Sequence, residues 1–92
     1  MFLYKVADKL VFNFLNKINY GFLEIETIYG QKIFFGDPKD SLKANIIIKK
    51  PNFNYNLIRG GSIGFAESYM RGEFETNSLS NLIEFTARNI QI

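Results

Sequence analysis

The chain has 92 residues, a formal net charge of +2, no cysteine and no histidine. That length makes one domain with one modest core. The composition rules out a thiolate nucleophile, an imidazole base and a zinc site of the usual ligand types. So small a net charge gives no argument for nucleic acid as a partner.

Leu3, Val6, Ala7, Leu10, Phe14 and Ile18 recur at three- and four-residue steps, with Val11 and Leu15 widening the stripe. The spacing predicts an amphipathic helix, and Phe12 falls on its polar side as a candidate lipid contact. Lys5, Asp8 and Lys9 interrupt the N-terminal hydrophobics, so no signal peptide is expected. No run is long enough to span a bilayer.

After Asn19-Tyr20-Gly21 the pattern changes to alternation. Leu23, Ile25, Thr27 and Tyr29 point one way; Phe22, Glu24, Glu26 and Ile28 point the other. Gly30-Gln31 turns the chain into Lys32-Ile33-Phe34-Phe35-Gly36 as a hairpin. Asp37-Pro38-Lys39-Asp40-Ser41 is a second turn, and Leu42, Ala44, Ile46 and Ile48 then alternate with Lys43, Asn45, Ile47 and Lys49. Three strands on short connections predict an antiparallel meander.

Phe53, Leu57 and Ile58 form one edge of a short helix that Gly60-Gly61 is expected to end. A second helix follows, with Gly60, Gly64 and Ser68 as a bare stripe and Ile63, Ala66 and Met70 on another side. Gly72 stops it at the position where positive φ is wanted. Glu73 to Thr76 reads as a short strand, with Glu73 and Glu75 on one face. The last helix runs from about Ser78 to Asn89, capped by Asn77 or Ser78, with Leu79, Leu82, Ile83 and Thr86 inward and Ile90 continuing the stripe. The predicted class is α+β: an antiparallel sheet of four to five strands with helices on one face.

The run from Gly61 to Gly72, GSIGFAESYMRG, closely resembles the junction signature near the N-terminus of the cyclopropane-fatty-acyl-phospholipid synthases. The resemblance extends back through Ile46–Phe53 and forward through Ser78-Leu79 to Arg88-Asn89, and is only pattern-level before Leu42. Those enzymes transfer a methyl carbon from S-adenosylmethionine to a phospholipid acyl chain. The resemblance implies that residues 1–92 form a non-catalytic N-terminal domain, with the methyltransferase domain and its cofactor site beyond Ile92. The element order also looks like the sterol-carrier-protein fold, in which an apolar tunnel between sheet and helices suits acyl chains. Such a domain is expected in the cytoplasm or at the inner face of the membrane. It would help position phospholipid and dock on its own C-terminal methyltransferase domain or a homologous subunit. The rival expectations are a free-standing lipid carrier and a dimerisation module.

Paired strand carboxylates (Glu24 with Glu26, Glu73 with Glu75) are expected to be solvated rather than catalytic. The glycine run lacks a full phosphate-loop pattern, so no cofactor site is assigned to this chain. Glu67, Tyr69 and Arg71 are candidates for contact with a partner domain or headgroup, Glu67 and Arg71 also being spaced for a weak i,i+4 pair. Gly60, Gly64 and Ser68 are the candidate close-packing stripe. Phe22, Ile28, Phe34 and Ile47 share the second sheet face with charged residues. Burying each would be worth about 1.5–3 kcal/mol, so this face is expected to be covered by the first helix, the missing domain or a second protomer. Residues 1–50 hold eight lysines against five acids, the basis for expecting peripheral membrane contact.

Overall fold

The computed structural model describes residues 15–89, with the side chains of all but residues 58, 59, 61 and 62. The predicted N-terminal helix, Phe12 and Ile90 lie outside the described residues. Of that helix's stripe, Leu15 is buried in the core and Ile18 packs against it. The elements are β1 (Phe22–Glu26), β2 (Lys32–Gly36), β3 (Lys43–Ile48), α1 (Phe53–Met70), β4 (Phe74–Glu75) and α2 (Leu79–Asn89). The class is α+β, as the patterning predicts.

β1 and β2 form the expected hairpin. Gly30 N–H donates to Thr27 O and Thr27 N–H to Gln31 O, with Gly30 at φ +83°, so a type I turn closes through a glycine bulge. The meander does not form. The sheet order is β2-β1-β3-β4, and β3 runs parallel to β1 rather than against β2. The link from Asp37 to Leu42 has only to cross two strand spacings, about 10 Å, which six residues span easily. It passes under the start of β1: Asp37 N–H donates to Gly21 O, Phe22 N–H donates to Leu42 O, and Asp40 accepts from the N–H groups of Gly21 and Leu42. These two backbone donors, with Arg88 nearby, hold the Asp40 carboxyl below its ordinary range despite the opposing cost of desolvation. Without that carboxylate the link would lose the anchor that carries it past β1.

The alternation predicted for the first and third strands is observed over Phe22–Glu26 and Lys43–Ile48, whereas Thr27, Ile28 and Tyr29, predicted to continue the first strand, lie in the turn. Leu23, Ile25, Phe35, Ala44, Ile46 and Ile48 are buried on one face, where the helices pack. α2 begins as expected: the Ser78 hydroxyl accepts from Asn81 N–H, which is the N-cap arrangement. Its inner stripe is rotated from the predicted one. Leu82 and Phe85 are buried, whereas Ile83 is 53% exposed. Gly21 explains the shift, because a Cβ there would stand 2.8 Å from the Phe85 ring. The ring occupies that space. Asn89 then ties the helix to the opposite end of the chain, accepting from Asn19 and Tyr20 N–H and donating to Tyr20 O.

α1 differs most from expectation. Gly60-Gly61 does not end a helix; helical bonding continues for 18 residues. The direction nevertheless changes. Atoms eight residues apart lie about 12 Å apart along a straight helix, yet a Cβ on Gly64 would stand 2.5 Å from the Asn56 carbonyl oxygen. The helix therefore bends sharply across the glycine pair, as glycine-weakened helices do, and its second arm lies against its first. The close packing expected of Gly64 is thus made within one element. A Cβ on Gly60, by contrast, would meet nothing within 4 Å.

The two glycines should answer oppositely to alanine. Gly60→Ala is expected to change stability by less than about 1 kcal/mol, in the stabilising direction. Gly64→Ala, which presses a methyl onto backbone that cannot rotate away, is expected to cost about 1–3 kcal/mol. Urea unfolding midpoints of the two variants check this, and equal midpoints would exclude so close an approach of the two arms.

Candidate functional site

α1 ends where predicted. Gly72 takes φ +70°, its N–H donates to Tyr69 O, and Glu73 N–H reaches back to Ser68 O. This pair of crossed bonds is the Schellman arrangement, which satisfies carbonyls the helix would leave orphaned. It also aims the next two side chains inward. Phe74 is 1% exposed, with its ring centroid 4.8 Å from Phe53, 5.1 Å from Phe65 and 5.6 Å from Tyr69. Tyr69 is therefore a core-edge residue rather than a groove residue.

Glu73 is 6% exposed. Its Oε2 accepts from Arg71 Nε at 2.9 Å and its Oε1 from Asn56 Nδ2 at 3.1 Å. Burial pushes this carboxyl upward, but the bonds from Arg71 and Asn56 together with the Arg71 charge outweigh it and hold it below the ordinary range. Ser68, wholly buried, sits near enough to favour the same charge, but its hydroxyl closes no hydrogen bond. The bond that Arg71 donates to Glu73 raises Arg71 in turn. The expected solvent face shared by Glu73 and Glu75 is not found. Glu73 precedes β4 and belongs to the glycine turn, so strand alternation does not govern it. Glu75 alone faces out, 3.8 Å from Lys49.

The inner side of the bend is a polar groove of about 260 Å³ lined by Asn56, Gly60, Gly64, Glu67 and Arg71. Four of the sequence candidates thus meet at one place. Ser68 lies beneath them and Tyr69 beside Phe74. The i,i+4 pair of Glu67 with Arg71 is replaced by the shorter Arg71–Glu73 pair. Among the described side chains, the Arg71 guanidinium meets two carboxylates here, Glu67 and Glu73. Sequence reasoning does not find Asn56 and Glu73. Only the positive φ that Gly72 invites could have suggested that Glu73 turns back.

The other candidates occupy a separate surface. Phe22 and Phe34 stack with centroids 5.7 Å apart and planes 12° apart on the sheet face opposite the helices. Ile47 is on that face too, half-buried and opposite Glu75 in the register. Phe34 is 55% exposed and Ile28 39% exposed, so nothing among the described residues provides the cover expected. Along α1, Ile63 and Met70 are exposed at 71% and 76%, with Ala66 between them.

No described helix is long and apolar enough to cross a membrane, and no group of metal-binding side chains occurs among the described residues. No family model, curated protein or solved structure matches the chain.

Arg71→Met leaves the Glu73 carboxylate buried with Asn56 as its one remaining bonded partner, at an expected cost of about 1–3 kcal/mol near pH 7. The sign of its pH dependence follows from the lowered Glu73 value. In the parent chain Glu73 stabilises fully above its unfolded pKa, about 4.3, and that contribution is lost as pH falls through the lower folded value. In the variant burial is less opposed, so protonation relieves it. The stability gap between the two proteins should therefore close below about pH 4. Urea titrations at both pH values measure the gap, and one that stays constant would show that Arg71 acts by packing alone.

Proposed function

We propose that this chain is a non-catalytic accessory domain of a lipid-modifying methyltransferase like the cyclopropane-fatty-acyl-phospholipid synthases, working in the cytoplasm at the inner face of the membrane. Its task is to dock on the catalytic domain or a second subunit and to help present phospholipid. The observation that carries this is the run from Gly61 to Gly72. The segment with the family-like signature is also the bent helix arm that leaves Ile63, Ala66 and Met70 exposed beside the Arg71–Glu73 groove.

The opposite charges of Glu67 and Arg71 at that groove suit a polypeptide or a zwitterion. A docking polypeptide and a zwitterionic headgroup thus both have support. An acyl tunnel has less: the layer between sheet and helices is occupied by Phe53, Phe74, Leu82 and Phe85. That weighs against the free-standing carrier. Any S-adenosylmethionine would bind the partner domain, since no segment of this chain resembles the glycine loop of a doubly wound sheet.

Two measurements test the proposal. The chain alone, given labelled S-adenosylmethionine and phospholipid vesicles, should leave the lipid unlabelled; labelling would overturn the accessory role. Reading the gene beyond Ile92 should reveal a doubly wound domain with a glycine-rich first loop, and a stop codon there would favour the carrier or dimerisation alternatives.

A further inference from the structure

The free edge of β2 carries an inference that stands whether or not the accessory role does. β2 is an edge strand, paired with β1 alone among the described residues. Its hydrogen-bond phase is settled by its two ends. Thr27 N–H donates to Gln31 O and Asp37 N–H donates to Gly21 O, and the register steps between them in pairs. In an antiparallel ladder, hydrogen-bonded and non-hydrogen-bonded pairs alternate. Ile33 and Phe35 therefore bond inward to β1. The N–H and C=O groups of Lys32, Phe34 and Gly36 point away from the sheet.

We propose that this edge pairs with the same edge of a second copy, antiparallel about a two-fold axis at Phe34, joining two four-stranded sheets into one. The outward groups are self-complementary in that register. Phe34 exchanges both bonds with its symmetry mate, and Lys32 meets Gly36 on either side, where the φ of +91° at Gly36 turns the chain out of regular extension, so the Phe34 pair is the regular centre of the ladder. Phe34 already stacks on Phe22, and pairing would place the two Phe34 side chains about 5 Å apart at Cβ. Four rings then run in line across the seam.

Charge fits the same register. An edge lysine normally discourages pairing, but here each Lys32 faces Gly36, which has no side chain, with Asp37 one residue further. The two Lys32 residues lie four positions apart, about 14 Å, beyond the screening length of about 8 Å at physiological salt. Glu24 lies 3.7 Å from each Lys32 within its own protomer. The alternative occupant, an anionic membrane, is less well matched. The exposed face carries Lys32, Lys43 and Lys49 against Glu24, Glu26 and Glu75, with no surplus of positive charge to draw it to acidic lipid.

Ten strand residues bury a small area, so the dimer belongs among weak, concentration-dependent contacts. Sedimentation velocity over a concentration series should show reversible dimerisation. Phe34→Pro, which removes an N–H that β1 does not use, should abolish it while leaving the circular dichroism unchanged. Because the chain has no cysteine, Phe34→Cys supplies a unique thiol that should cross-link under mild oxidation, and Ala66→Cys on α1 should not. The Phe34→Cys result decides the matter if Phe34→Pro does not fold. A chain that stays monomeric at every concentration, a Phe34→Pro variant that still dimerises, or cross-linking of the Ala66→Cys variant alone would overturn the proposal. So would a monomeric chain that floats with anionic vesicles and loses that binding on Phe34→Ala, which would make the face a lipid surface.

Discussion

The positive φ at Gly72 is the constraint on which the rest of the structure depends. Within three residues it ends α1, returns Glu73 N–H to Ser68 O and sends Phe74 into the core among Phe53, Phe65 and Tyr69. A residue with a Cβ reaches this conformation only with strain. Glu73 O, fixed by the same turn, accepts from Lys49 and Lys50 N–H and so closes the end of β3. One backbone angle thus joins the bent helix, a two-residue strand and the third strand. The groove exists because the second helix arm is held against the first at two points, by Gly64 against the Asn56 carbonyl and by Glu73 accepting from Asn56 Nδ2.

What could be read from the sequence was whatever short-range chemistry controls. Alternation assigned the faces of 22–26 and 43–48 correctly, because side-chain direction in a strand is local, but it ran on over 27–29, where the chain is already in the turn. The hairpin at Gly30, the Ser78 cap and the Gly72 stop are local as well. The partner of β3 is not. Strand order depends on Asp40 gathering two N–H groups beneath β1, and no periodicity reports that. Phe85 escapes a reading by periodicity because the inward face of α2 is chosen by a vacancy at Gly21, far away in the chain. The same limit applies to the candidate site. Gly60 and Gly64 were visible as part of a small-residue stripe and Glu67 with Arg71 as an i,i+4 pair, whereas Asn56 and Glu73 become neighbours only after the helix bends.

The molecule has two unlike surfaces, which bear on different kinds of contact. On the helix side, a groove with paired charges adjoins an exposed arm of Ile63, Ala66 and Met70. On the sheet side, stacked phenylalanines sit among balanced charges beside an open strand edge. The interior between them is filled by aromatic and branched side chains. A domain this small has one core to fill, and using it for packing leaves recognition to the outside.

The Arg71–Glu73 pair shows why an unusual polar group here is not by itself evidence of chemistry. A buried carboxylate with a lowered proton affinity resembles the perturbed groups of active sites. Yet a general base must be within reach of substrate, and Glu73 is 6% exposed, with its two oxygens turned to Arg71 and Asn56 within the protein. Opening either bond would cost the pairing that makes its burial tolerable. The carboxylate is held where the turn needs it. What remains available to a partner is the outer part of the Arg71 guanidinium and the Glu67 carboxylate beside it, two opposite charges at the rim of a glycine floor. Opposite charges set apart in this way orient an incoming polypeptide more than they attract an ion, which is the contact the proposed docking role calls for.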